Sequence, residues 1–139
     1  MYELANYTHS IFLLIHTNII MFKIKKQLLQ EICNSAKNNF PKEMLIFLSK
    51  NNEIIDQIVY LPNIAGETFV EINSLIIPFD NKIVGTIHSH PLGENHPSKE
   101  DKKFFQNYSI NGIIDNSFKL ENIKFYNEKG EEIKIVLIE

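Results

Sequence analysis

The chain reads Gly85-Thr86-Ile87-His88-Ser89-His90-Pro91 and, a few residues later, Ser98-Lys99-Glu100-Asp101. Residues 82–87 are rich in β-branched side chains, and this pattern predicts a strand that ends at the pair of histidines. Proline and glycine recur through residues 91–97, which indicates a loop. Ser98 follows at the position expected for the N-cap of a helix. The sequence therefore predicts a strand, a loop and a helix in direct succession.

Apolar periodicity predicts the rest of the fold. Apolar side chains recur every fourth residue from Ile24 to Phe40, which predicts an amphipathic helix over residues 22–39 that ends before Pro41. A second helix begins at Ser98 and runs for about ten residues. Further strands are predicted over residues 44–48, 54–61, 67–72, 109–114, 123–126 and 133–138, with a hairpin turn over 127–130. The predicted fold class is α/β (α+β), a single domain with a mixed β-sheet flanked by two main helices.

Composition limits the classes of function. The 139 residues suffice for one domain with a packed core, and 44% apolar with 22% charged residues exclude a disordered chain. The net charge of −3 offers no basic surface, so we expect no nucleic-acid partner. Cys33 is the single cysteine, which rules out an intrachain disulfide and fits a reducing cytoplasm. Its place in the apolar stripe of the first helix predicts a buried structural side chain.

The N-terminal residues contain one short apolar run, over residues 11–15. A secretory signal needs a positive segment before a longer apolar run, whereas Glu3 precedes this one and His16 follows it closely. We therefore expect no secretory signal and no membrane span, and a cytoplasmic protein. Residues 1–20 are interpreted as an extension outside the core, either loose or upstream of the working start, and residues 21–139 as the domain.

The two histidines can bind one metal ion together. His88 and His90 are two residues apart, so on an extended strand their side chains share a face. Imidazole nitrogen and carboxylate oxygen are ligands that Zn²⁺ accepts, and a catalytic zinc site has three protein ligands and one water. By itself the pair is weak evidence for a metal, because surface histidine pairs occur by chance and a single buried histidine is usually a hydrogen-bonded core residue.

Asp101 is the candidate third ligand. It falls in the first turn of the helix that follows the loop, where it can fold back over the end of the strand. The alternative is a capping box, in which Ser98 caps the helix and Asp101, three residues on, returns a hydrogen bond. We expect the two roles to require different positions of the carboxylate. A carboxylate bound to zinc has less freedom to turn back and accept a hydrogen bond at the start of the helix.

A catalytic zinc site also requires a general base that accepts a proton from water. Glu43 is the candidate, because it follows Pro41 and precedes the apolar strand over residues 44–48. Burial of a charged side chain at this position would destabilise the fold, so we expect Glu43 to be exposed or to have a function. The alternative is an ordinary surface residue.

Together these residues resemble the JAMM family of metalloproteases, also called MPN+ or Mov34/JAB. The family motif is an upstream Glu, then His-Xaa-His-Pro, then Ser-Xaa-Xaa-Asp after a short loop. This chain matches the motif at Glu43, at His88-Ser89-His90-Pro91 and at Ser98-Lys99-Glu100-Asp101. The resemblance extends over residues 22–138. It implies a compact JAB/MPN-like domain of the prokaryotic or archaeal type, with a cytidine-deaminase-like architecture.

The resemblance also implies a role for each residue. His88, His90 and Asp101 would bind Zn²⁺, Glu43 would act as general base and then general acid, and Ser98 would help to hold the tetrahedral oxyanion. The implied reaction is hydrolysis of an amide or isopeptide bond at the C-terminus of a small ubiquitin-like protein, as in deubiquitinases and desampylases. The implied partner is that modifier or its protein conjugates.

Two alternatives stay open. The loop His90-Pro91-Leu92-Gly93 also resembles the JAB domain of the RadC family, which is linked to DNA repair, although the negative charge argues against direct DNA binding. The second alternative is an MPN interaction module that binds partners without catalysis. His96, in the loop between the ligands, is expected to be exposed and not to bind the metal.

Overall fold

The structure is a computed structural model, and it describes residues 21–59 and 83–139. The predicted N-terminal extension over residues 1–20 and the predicted strand over residues 67–72 lie outside these ranges. Neither helix within them combines the length and the apolar character that a bilayer span requires.

Eight strands and two α-helices form the described part of the chain. The strands are β1 (Phe22–Lys25), β2 (Leu45–Asn51), β3 (Ile54–Val59), β4 (Ile83–Ser89), β5 (Ile110–Ile114), β6 (Lys124–Tyr126), β7 (Glu132–Ile133) and β8 (Ile135–Ile138). The helices are α1 (Lys26–Asn38) and α2 (Lys99–Phe105), and a 3₁₀ turn covers Leu120–Asn122. The predicted fold class, a mixed sheet with two main helices, is confirmed.

All eight strands belong to one sheet in the order β7-β6-β5-β4-β2-β3-β1-β8. Strand β4 is central; it pairs with β2 in antiparallel and with β5 in parallel orientation. Strands β7 and β8 occupy opposite edges of this order, yet only Lys134 separates them in the chain. The sheet therefore curls until its two edges meet at that residue.

The two faces of the sheet bury different apolar clusters. Ile46 and Leu48 of β2 pack with the buried side of α1, whereas Phe47 between them packs with α2 on the other face. This alternation follows from the two-residue period of a strand. The α2 face also carries His88, because Ile87, one residue before it, belongs to the α1 cluster. One helix packs on each face of the sheet. The end of β4 that carries His88 lies on the α2 face, next to the start of that helix.

Several predicted boundaries are wrong, among them the end of β2, which runs to Asn51 instead of residue 48. The first helix begins at Lys26, because Phe22–Lys25 forms β1, which pairs in parallel with β8 and β3 and buries Ile24 completely. Pairing with distant strands overrides the helical periodicity there. The strand predicted over 133–138 is divided at Lys134, where the chain passes from one sheet edge to the other. Helix α2 has seven residues instead of about ten.

Gly85 permits the close approach of β4 to β5. It pairs with Ile110, and a Cβ atom added at Gly85 would collide with the Ile110 carbonyl oxygen and side chain. Backbone cannot move aside as a flexible side chain can. We expect Gly85→Ala to lower the free energy of unfolding by about 1–3 kcal/mol in urea denaturation.

Gly93→Ala is the matched control for this prediction. A Cβ added there would meet only the His90 Cβ at an ordinary 3.6 Å, so little change in stability is expected. Equal stability of both alanine variants would contradict the claim that the β4–β5 approach requires glycine.

Candidate metal centre

The end of β4 is held from both sides, and it carries the two histidines. His88 pairs with Leu45 of β2 and with Ile113 of β5. One residue later the Ser89 amide donates to the Met44 carbonyl at 2.9 Å, and the His90 amide donates to the Ile114 carbonyl at 2.8 Å. Continued backbone pairing beyond the strand fixes the direction of both imidazoles.

The two imidazoles and the Asp101 carboxylate converge. The Nε2 atoms of His88 and His90 are 3.0 Å apart. Asp101 Oδ1 lies 3.3 Å from Nε2 of His88, and Oδ2 lies 3.2 Å from Nε2 of His90. These ligand atoms all lie within 4.8 Å of one another. The structure thus brings together the three predicted metal ligands, and this is the one such group found among residues 21–59 and 83–139.

A backbone contact sets the tautomer of His90. Its Nδ1 lies 2.7 Å from the Glu94 carbonyl oxygen. A carbonyl can only accept, so Nδ1 carries the proton and donates it. In the neutral ring the lone pair is then on Nε2, which faces His88 and Asp101. When His90 is protonated on both nitrogens, Nε2 donates to Asp101 instead. A metal-binding imidazole usually donates its other ring N–H to a carbonyl or carboxylate in this way.

Asp101 is held by a capping box at the start of α2. The Ser98 hydroxyl accepts from the Asp101 amide at 3.1 Å, and the Ser98 amide donates to Asp101 Oδ2 at 2.9 Å. The same carboxylate faces both imidazoles. Capping and the contacts with the histidines thus use one carboxylate, because the capping box itself directs it toward the imidazoles.

Charge at the centre follows from these contacts. Burial alone would raise the pKa of the Asp101 carboxyl, but hydrogen bonds from His88 and His90 outweigh it and hold that pKa far below its usual range. The hydrogen bond to Asp101 in turn raises the pKa of His90, against the effect of burial. The buried carboxylate is thus ionised and attracts positive charge, which a proton on His90 or a divalent cation can supply.

Glu43 lies at the same end of the sheet. It is exposed and immediately precedes Met44, whose amide donates to the Ser89 hydroxyl at 2.9 Å. Its carboxylate contributes to the raised pKa of His90, although it does not belong to the ligand group. The structure therefore places Glu43 near the centre without direct ligation, and its role as general base stays a prediction.

The sequence interpretation missed the role of Ser89. This residue lies between the two histidines, so its side chain points to the opposite face of β4 and is fully buried. Its hydroxyl accepts the Met44 hydrogen bond, which fixes the chain beside Glu43. The sequence contained a signal for this role. Ser89 is a polar residue in a strand expected to be buried, and such a residue requires a hydrogen-bond partner.

Two residues expected to stay outside the centre do so. The His96 side chain is 63% exposed and pairs with Glu94 at 3.6 Å. Cys33 is buried in α1, and this burial, followed by the charges of Glu121 and Asp115, raises its pKa to about 11. The thiol therefore stays protonated near neutral pH, which excludes a thiolate nucleophile.

Solved structures similar to this chain share the fold. A JAB1/MPN domain protein from Archaeoglobus fulgidus is 29% identical, with a TM-score of 0.69, over 85% of this chain and 98% of that one. A structure reported as "JAMM: a metalloprotease-like zinc site in the proteasome and signalosome" is also 29% identical, with a TM-score of 0.69, over 86% and 100%. A Desulfitobacterium hafniense protein, 21% identical over 86% and 94%, has a TM-score of 0.62 and shows the fold alone.

Sequence comparison identifies the family. None of the curated proteins matches this chain. Residues 25–128 match the family model described as prokaryotic homologs of the JAB domain, and this range includes Glu43, Ser98 and the three candidate ligands. The chain therefore belongs to the prokaryotic JAB-domain family, the compact prokaryotic form of the JAMM/MPN proteins.

Proposed function

We propose that this protein is a zinc-dependent metallopeptidase that hydrolyses the amide or isopeptide bond at the C-terminus of a small ubiquitin-like protein. The observation that carries the proposal is the convergence of His88, His90 and Asp101 at the end of β4. A structure 29% identical to this chain, reported as a metalloprotease-like zinc site, supports zinc as the metal.

The donor set fits zinc. Two imidazole nitrogens and one carboxylate oxygen are typical of a catalytic zinc site with an open fourth position. The Glu94 carbonyl fixes one imidazole and the Ser98 amide fixes the carboxylate, so the ligands are oriented before the metal binds. Zinc, when bound, supplies a Lewis acid and makes water a stronger nucleophile at neutral pH.

Glu43 is proposed as the group that moves the proton. It is exposed to solvent beside the ligand end of β4, and the Met44–Ser89 hydrogen bond holds its backbone there. In the proposed mechanism its carboxylate accepts a proton from the attacking water and then delivers it to the leaving amine. One side chain can perform both steps because the proton that Glu43 accepts from water is the one it delivers to the leaving amine. The carboxylate is then ionised again, as at the start.

Ser98 is proposed to stabilise the oxyanion. Its hydroxyl accepts from the Asp101 amide, and this contact leaves the hydroxyl proton available for donation. The residue is exposed at the start of α2, where an approaching carbonyl oxygen can reach it. A fixed donor at this point lowers the energy of the developing negative charge.

The substrate class comes from the family resemblance. The proposed partner is a ubiquitin-like modifier or its protein conjugate in the cytoplasm. The net charge of −3 argues against nucleic acid as the direct substrate. The complete set of metal ligands, together with Glu43 and Ser98, favours catalysis over a role limited to docking.

Zinc content tests the metal site. Purified protein loaded with zinc and dialysed should retain one equivalent by elemental analysis, whereas His88→Ala and His90→Ala should each lose most of it, because two ligands hold zinc poorly. His96→Ala is the control and should retain the wild-type amount, since this side chain is exposed. Equal zinc in all four proteins would contradict the assigned ligands.

Glu43→Gln separates metal binding from proton transfer. The variant should keep its zinc and lose about 10²–10⁴-fold in the rate of conjugate cleavage, because the amide cannot accept the proton. The substrate is a lysine conjugate of the host's own ubiquitin-like protein, assayed with and without chelator.

Glu53→Gln is the matched control for this experiment. Glu53 is an exposed glutamate just beyond the opposite end of β2, so its replacement should leave the rate unchanged. Full activity of Glu43→Gln would remove Glu43 from the mechanism. Absence of chelator-sensitive cleavage by zinc-loaded wild type would contradict the proposed substrate class.

A further inference from the structure

We infer that Tyr126 and Asn95 are positioning residues that hold the peptide unit which fixes His90, and this inference rests on the proposed zinc site. The two residues lie outside the family motif and are not among the three candidate ligands. Their hydrogen bonds meet in the loop between His90 and Ser98.

The peptide unit in question joins Glu94 to Asn95. Its carbonyl, that of Glu94, accepts the proton of His90 Nδ1 at 2.7 Å. This planar unit ends at the Cα atom of Asn95, which it shares with the next peptide unit, so the direction of the Glu94 carbonyl depends on where Asn95 is held. A rotation of the peptide would release the imidazole and allow its other tautomer. In that tautomer the proton is on Nε2, which then has no lone pair to bind a metal.

Asn95 is held through its main chain and through its side chain. The Tyr126 hydroxyl donates to the Asn95 carbonyl at 2.7 Å. The Asn95 side-chain amide donates to the Asn122 carbonyl, also at 2.7 Å. Two hydrogen bonds from different directions leave this residue little freedom to rotate. The loop residue next to Glu94 is thereby fixed to β6 and to the 3₁₀ turn.

Tyr126 is itself rigidly placed. It is 4% exposed, pairs with Asn111 of β5, and its ring stacks on Phe105 with centroids 6.0 Å apart. Phe105 is fully buried in α2, and its ring centroid is 6.2 Å from that of His88. The same aromatic cluster therefore supports both histidines, one by packing and the other through the loop.

The Tyr126 hydroxyl is suited to this role as a donor. Burial, followed by the charge of Glu132, raises its pKa, so the hydroxyl keeps its proton at neutral pH. Its partner is a carbonyl, which can only accept. Removal of the oxygen alone, in Tyr126→Phe, preserves the stacked ring and deletes the hydrogen bond. The substitution thus separates packing from positioning.

The test compares zinc affinity and the His90 Nδ1 proton across variants of the full chain. Zinc dissociation constants are measured by competition with a chromophoric chelator, and exchange of the Nδ1 proton with water is followed by NMR. Tyr126→Phe and Asn95→Ala should each weaken zinc binding by about tenfold, the lower end of the effect seen when a residue that orients a metal ligand is replaced. Both should also accelerate exchange of the His90 Nδ1 proton.

Tyr108→Phe is the matched control. Tyr108 is another buried tyrosine on the same face, and its ring packs on Phe47 and Phe104. It lies two residues before Ile110, which pairs with Gly85 in the first half of β4, away from the end that carries His88. Its substitution should therefore leave zinc affinity and Nδ1 exchange unchanged, even where it lowers stability.

The outcomes are distinguishable. The double variant Tyr126→Phe/Asn95→Ala should weaken zinc binding by less than the product of the single effects, because both bonds hold one residue. If the wild type binds zinc and both single variants match it in affinity and exchange, the inference is overturned. If the wild type binds no zinc, the proposed function fails instead.

Discussion

The reciprocal hydrogen bonds between Ser98 and Asp101 are the interaction on which the candidate centre depends. They start α2 and direct a carboxylate that is only 4% exposed. An ionised carboxylate in such a place would be destabilising without partners. The Ser98 amide and the two imidazoles provide them, so the bonds that cap the helix also assemble the candidate centre. Phe104 and Phe105, buried in the last turn of α2, hold the helix against the sheet and keep this carboxylate over the end of β4.

The strand period explains why the histidines face this helix. Ile87 and Ser89 point toward one face of the sheet, and His88 points toward the other, where α2 lies. Pairing with both β2 and β5 fixes this register, and a shift of one residue would turn His88 into the α1 cluster. The Ser89 hydroxyl then connects β4 to the chain beside Glu43. The central position of β4 thus determines where the ligands, Glu43 and Ser98 lie relative to one another.

The sequence predicted which three side chains converge better than it predicted the boundaries of the fold. His88, His90 and Asp101 form a local strand–loop–helix motif, whose spacing along the chain already determines how they meet. Strand β1 was missed because its partner β8 is at the far end of the chain, and no local pattern reports such pairing. The Glu94 carbonyl was missed for a related reason, since every residue has a carbonyl and only the folded loop shows which one His90 contacts. Glu43 was a candidate as a charged residue before an apolar strand, and its role was implied by the family resemblance. The structure adds its proximity to His90.

The central claim is that a capped helix and the end of a strand together form a three-ligand zinc site. X-ray diffraction from zinc-loaded crystals, recorded above and below the zinc absorption edge, tests it most directly. The account predicts one anomalous peak about 2.0–2.2 Å from Nε2 of His88, from Nε2 of His90 and from a carboxylate oxygen of Asp101, with the Ser98 capping bonds intact. A peak at the exposed His96–Glu94 pair, or the absence of any peak near β4, would contradict it.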